Sequence, residues 1–169
     1  MAKRIATKIG DVFSVQISET EKRYMQLIAI DLTQLNSDVI RAFKKKYSIN
    51  DKPKLEEIVK DEVFFYAHCV TKFGIKLNLW TQIGNIEDVG DIRLPLFRGS
   101  RDSGKKINNE VIKVSENWYV WRINDENFTP VGKLEGNNKK ADLGLVVNPY
   151  DIVDRMKTGQ YNFFYPSFE

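Results

Sequence analysis

The run Tyr24–Ile30 constrains the fold more than any other stretch of the chain. Read with the two-residue period of a strand, Tyr-Met-Gln-Leu-Ile-Ala-Ile is apolar on both faces, which suits a central strand covered on both sides. Ahead of it, Asp11–Ser18 alternates, with Phe13, Val15 and Ile17 on one face and Ser14, Gln16 and Ser18 on the other. That is the pattern of a half-buried strand. Gly10-Asp11 is a turn pair in which the aspartate bonds nearby amides. The polar segment Glu19–Lys22 joins the two strands as a hairpin.

Beyond Ile30 the period changes to that of a helix. Val39, Ile40, Phe43 and Tyr47 share one helical face, with Asn36 or Ser37 as the cap and Lys44-Lys45-Lys46 near the C-terminus, where the macrodipole favours cations. A second short helix is predicted from about Pro53 to Lys60, capped by Asp51, with Leu55, Ile58 and Val59 as its apolar stripe. Strands are predicted at Val63–Val70, Lys76–Trp80, Ile92–Phe97 (with Pro95 at an edge or a bulge), Trp118–Ile123 and Leu143–Val147. Pro149–Lys157 reads as a last helix, capped by Asn148 and closed at Gly159. The expected class is α+β: a mainly antiparallel, strongly twisted sheet with two or three helices, part of it curling as a small SH3-like barrel would. With no repeat and no Pro/Gly/Ser-rich linker, residues 1–169 are expected to form one domain.

Composition narrows the function classes. Twenty-six basic against 23 acidic residues leave a net charge of only +3, too weak a bias to mark a nucleic-acid binder. The start, Met1-Ala2-Lys3-Arg4-Ile5, is charged without an apolar stretch behind it, so no signal peptide is read, and no apolar run approaches the length of a membrane span. A cytoplasmic location is expected. A single cysteine, Cys69, precludes an intrachain disulfide, and no disulfide-linked partner is expected.

Each candidate chemical motif has a plainer structural explanation. The only histidine, His68, adjoins Cys69 on a strand, where neighbouring side chains point to opposite faces and cannot form a nucleophile–base pair. Without further His or Cys, no His/Cys zinc site assembles. Gly99-Ser-Arg-Asp-Ser-Gly-Lys105-Lys106 approaches a P-loop, but Lys106 stands where a magnesium-binding hydroxyl belongs and no helical stripe follows. A polar hairpin loop accounts for it. Neighbouring carboxylates such as Glu56 and Glu57 diverge on a helix, and Asp88 and Asp91 read as loop charge. The basic clusters are interspersed with acids, as solvated faces are. No catalytic set, metal or cofactor is therefore expected.

Aromatics are the unusual feature. Tyr161–Phe168 crowds five rings into the tail, expected to pack on the chain's own core. Trp118 and Trp121, three apart on a strand, point to opposite faces, which leaves one of them free to be exposed. The residues selected for partner binding are Arg98, Arg101, Lys105, Trp118 and Trp121, since loops and solvent-facing aromatics carry recognition.

At Lys8-Ile-Gly-Asp-Val-Phe-Ser-Val-Gln-Ile17 and Tyr24-Met-Gln-Leu-Ile28, the chain resembles the immunity protein 26 family of bacterial polymorphic toxin systems. Further likeness lies in Trp80-Thr-Gln-Ile-Gly84 and the strand bearing Trp118 and Trp121, spanning about residues 8–155. The resemblance implies an α+β protein, encoded beside a secreted toxin, that binds the toxin in the producer's cytosol and does no chemistry. Immunity proteins against nucleases are often acidic, so the slight positive charge does not support a nucleic-acid mimic. The competing reading is a nucleic-acid-binding SH3-like barrel, because Gly-Asp before a strand also opens several such barrels.

Overall fold

The structure, a computed structural model, describes residues 3–169. In chain order the elements are β1 (Asp11–Gln16), β2 (Glu21–Asp31), β3 (Ser37–Phe43), β4 (Tyr47–Ser48), α1 (Leu55–Ile58), β5 (Val63–Cys69), α2 (Thr71–Lys76) and β6 (Thr81–Asn85). There follow β7 (Leu96–Ser100), β8 (Lys106–Ile107), β9 (Glu110–Val111), β10 (Trp118–Arg122), β11 (Thr129–Gly132), a 3-10 turn (Gly136–Lys140), β12 (Asp142–Leu143) and α3 (Pro149–Thr158). The fold is α+β, with one six-stranded sheet in the order β5-β3-β2-β1-β6, where β4 pairs the start of β2. A four-stranded sheet runs β11-β10-β7-β12, and β8-β9 is a separate hairpin. Pairing between these strands is antiparallel except where β12 meets β7, and the isolated bridges His68–Val146 and Val114–Ser167 are parallel. No closed barrel forms among the described residues.

β2 occupies the middle of the larger sheet, as its two-sided apolarity requires. Met25 and Leu27 join Phe13, Ile40 and Ala67 in a core closed by Ile152, Val153 and Met156 of α3. On the opposite side, Tyr24 packs with Val12, Phe43 and Ile58 of α1. Further along that side, Ile28 and Val39 meet Phe97 and Trp121 of the second sheet. The sheet is thus covered by a helix on one face and by a helix and a second sheet on the other. α3 is built as its residues dictate: the Asn148 side chain accepts from Tyr150 N, Pro149 opens the first turn, and Gly159 closes it at φ 85°.

Three expectations are corrected. The helix placed over Val39–Tyr47 is instead strand β3 followed by β4. Val39, Ile40, Ala42 and Phe43 are buried between β2 and β5, and a short apolar run covered on both faces fits either period. The strand placed at Lys76–Trp80 is the end of α2 and a turn, with Asn78 at φ 58° breaking the alternation. Gly74 makes this turn possible: a Cβ there would fall 1.9 Å from the Trp80 ring. The strand read at Ile92–Phe97 begins only at Leu96, after Pro95, and Ile92 and Leu94 are exposed. In addition, α1 starts at Leu55 without a side-chain cap, while Asp51 accepts from Ser48 N. No helix of the described residues is long and apolar enough to cross a membrane.

Candidate partner-binding surface

The end of β2 carries a buried polar hub that binds the two sheets together. Asp31 is fully buried, and both its oxygens are engaged. Oδ2 accepts from His68 Nε2 at 2.8 Å and from Trp121 Nε1 at 3.1 Å; Oδ1 accepts from Thr33 N and Asn124 N, each at 3.1 Å. Burial alone would raise the Asp31 pKa, but the bonds from His68, Asn124 and Trp121 hold it below the usual carboxylate range. Burial pushes the His68 pKa down against the pull of Asp31. At neutral pH this makes Asp31 an anion and His68 a neutral ring with its proton on Nε2.

An aspartate on a histidine is also half of a general-base system, which must reach the proton it abstracts. His68 does not present itself that way. It is fully buried, with Phe97 at 4.2 Å and Trp121 at 6.0 Å between ring centroids. Cys69 faces the opposite core, and burial raises its thiol pKa. Among the described residues, no three His, Cys, Asp or Glu side chains are grouped to hold a metal.

What the hub does is fix a loop. Residues 32–36 turn β2 into β3, and Leu32 and Leu35 stand 67% and 81% exposed at its tip. Leu35 and Asn36 lie in the left-handed region, at φ 59° and 52°. That conformation costs a leucine roughly 1–2 kcal/mol, so neighbouring bonds must hold it. Leu32 N donates to Asn124 Oδ1 at 2.7 Å, Gln34 Nε2 to Gly144 O at 2.6 Å, and the Thr33 hydroxyl to Asp125 O. A groove of about 550 Å³ runs beside Leu35, with Arg4 and Lys72 on its walls.

A second exposed feature carries two of the residues selected from sequence. The Gly99–Lys106 segment leaves β7 and leads into the hairpin β8-β9, whose turn residues Asn108 and Asn109 both have positive φ, as a two-residue hairpin turn of this hand needs. Arg101 and Lys105 are exposed there, beside the exposed Ile107 and Val111. The base is pinned by Ser115 Oγ, bonded to Ser100 Oγ at 2.6 Å and to Asp102 Oδ2 at 2.8 Å.

The other three selected residues lie deeper. Trp118 and Trp121 are both buried, so neither ring is exposed as the alternation allowed. Trp118 points to a small core with Val120 and Leu134, covered by Tyr165 and Phe168, and Trp121 to the inter-sheet core. A Cβ on Gly144 would lie 2.2 Å from Trp121, so a glycine is needed to seat that ring. Arg98 is half-buried, stacked over Trp118 and Phe168, and donates to Ala141 O at 2.8 Å. The tail rings Tyr161, Phe163, Tyr165 and Phe168 pack on the chain's own cores, and Phe164 is left exposed.

Sequence reasoning missed Asp31, Leu32 and Leu35. The available signal was an aspartate ending an apolar strand, followed by Leu-Asn, where asparagine readily takes positive φ.

The fold and these surfaces define an α+β domain that presents rigid, exposed loops. The sequence model of the family Immunity protein 26 matches residues 8–108, and the chain belongs to that family. The matched span holds the leucine loop, Arg98, Arg101 and Lys105, and ends before the tryptophan strand β10. No curated protein and no solved structure matches the chain.

Proposed function

We propose that this is an immunity protein that neutralises a cognate bacterial toxin in the cytoplasm by binding it, and that it carries out no reaction of its own. The observation that carries the reading is the pairing of family membership with a strained loop presenting two exposed leucines on a rigid support. A loop held in its binding conformation before contact loses little entropy on association. The hairpin residues Arg101 and Lys105 are proposed as further contacts, with Arg98 beside them. Trp118 and Trp121 serve the surface from beneath, by fixing the strand that leads to the loop's partner Asn124. A stable complex of this kind covers roughly 800 Å² of each partner.

The test is co-expression with the toxin domain encoded beside this gene. Rescue of growth and co-purification of the two chains as a stoichiometric complex are expected. Purified chain that binds no neighbouring toxin but binds RNA or DNA, with an affinity falling steeply as salt rises, would replace this reading with the nucleic-acid one.

A further inference from the structure

A groove of about 460 Å³ opens between β7-β12, the end of α3 and the C-terminal tail. Two guanidiniums line it. Arg155 lies against the Phe65 and Tyr161 rings at 4.2 and 4.8 Å, and Arg98 against Trp118 and Phe168 at 5.4 and 5.1 Å. Stacking of this kind holds a guanidinium plane in place without consuming its N–H donors.

Only one carboxylate faces the groove, that of Asp142, and its oxygens are already engaged. Oδ1 accepts from Arg155 at 2.7 Å and Oδ2 from Tyr66 N at 3.1 Å. Arg98 makes no ion pair among the described residues, and its one hydrogen bond is to a neutral carbonyl, Ala141 O. Its Nε is buried with no partner, while the Tyr161 hydroxyl on the same groove is buried beside Arg155 without a hydrogen bond of good geometry. Burial lowers the Arg98 pKa in spite of Asp142, and pushes that of Tyr161 up to about 12, so Tyr161 keeps its proton. The wall therefore has two cations, one anion whose hydrogen-bonding capacity is largely used, and one buried guanidinium donor, Arg98 Nε, without a partner. Buried donors left open in this way point to a ligand or ion that completes them.

We propose that this groove binds one anionic group, a carboxylate or a phosphate, received by Arg98 with Arg155 behind it and bordered by the tail's aromatic rings. The site stands apart from the leucine loop and does not depend on the immunity reading. Its ligand is either a free inorganic anion or an acidic side chain carried by another protein.

The experiment follows the arginine Nε–H resonances of the full chain during titration with inorganic phosphate and, separately, with N-acetylaspartate. Saturable shifts at Arg98 with either probe are expected. A response to phosphate alone assigns a free anion, a response to N-acetylaspartate alone assigns a protein-borne carboxylate, and a response to both supports the shared chemistry. Arg98→Lys keeps the charge but loses the planar fork, and Arg98→Met keeps much of the stem. Binding to both variants, followed by chemical shifts at Arg155 and in the tail, should weaken about tenfold or more. Absence of saturable shifts with both probes, or wild-type affinity in both folded variants, overturns the proposal.

Discussion

The Asp31 hub and the Arg98 groove are both charged clusters among aromatic rings, yet they end differently. At the hub, one carboxylate receives four donors from β5, β10 and the loops that follow β2 and β10, so both its oxygens are used and only His68 Nδ1, an acceptor in the neutral ring, lacks a partner. At the groove, two guanidiniums face one carboxylate that pairs with Arg155 alone, and a buried donor of Arg98 stays open. A fully bonded carboxylate is part of the fold's own stabilisation, whereas an open donor on a charged guanidinium beside a groove can be completed from outside. The difference separates what rigidifies the molecule from what it offers to others.

The strongest attempt to break this contrast is Asp31→Asn, which turns half of the acceptor into a donor facing donors. It should cost about 2–4 kcal/mol, read as a lower midpoint in urea unfolding. Arg98→Met should cost only about 1 kcal/mol or less in the same assay, since it strands no buried charge. Equal losses at the two sites would erase the distinction.

Leu35→Gly sharpens the role assigned to the hub. Glycine tolerates the positive φ, so stability should stay within about 1 kcal/mol of wild type. Toxin affinity should nevertheless fall about tenfold, as measured by calorimetry, because the exposed side chain is gone. The pH dependence follows from His68. Its folded pKa lies below the ordinary 6.5, so the unfolded chain takes up a proton that the native chain refuses, and stability declines as pH falls below 6.5. The depressed Asp31 adds a further loss in acid, below its ordinary 3.8. His68→Gln should flatten the first part of this decline and leave the second, which pH-resolved unfolding would reveal. The smallest effect on stability is expected from Arg101→Glu with Lys105→Glu, within about 0.5 kcal/mol, while the association rate with the toxin changes severalfold.

Much of the fold was legible wherever one period admitted one reading. The β1-β2 hairpin, β5, β10 and α3 with its Asn148 cap all stand where their residues place them. The Gly10-Asp11 turn forms as read, with Asp11 Oδ2 accepting from Lys8 N at 2.9 Å. β3 was misread because Val39, Ile40 and Phe43 satisfy helical spacing as well as a strand buried on both faces, and only pairing with β2 and β5 decides between them. The surface was less legible for a related reason. Trp118 and Trp121 do point to opposite faces, but each face is covered, by the tail in one case and by the larger sheet in the other. Long-range contacts of this kind leave no periodic trace. Leu35 was hidden for the opposite reason: an isolated leucine gives no sign that it stands in solvent until the turn around it is known.

On the proposed immunity function, the protein works by occupying a surface of the toxin, one molecule to one. Titrating the chain against a fixed amount of the neighbouring toxin domain, well above the dissociation constant, measures this directly. Toxin activity should decline linearly and vanish at one equivalent, and return when the complex is denatured and the toxin refolded alone. Complete and lasting inactivation by a small fraction of an equivalent would mean that the chain modifies the toxin rather than covering it.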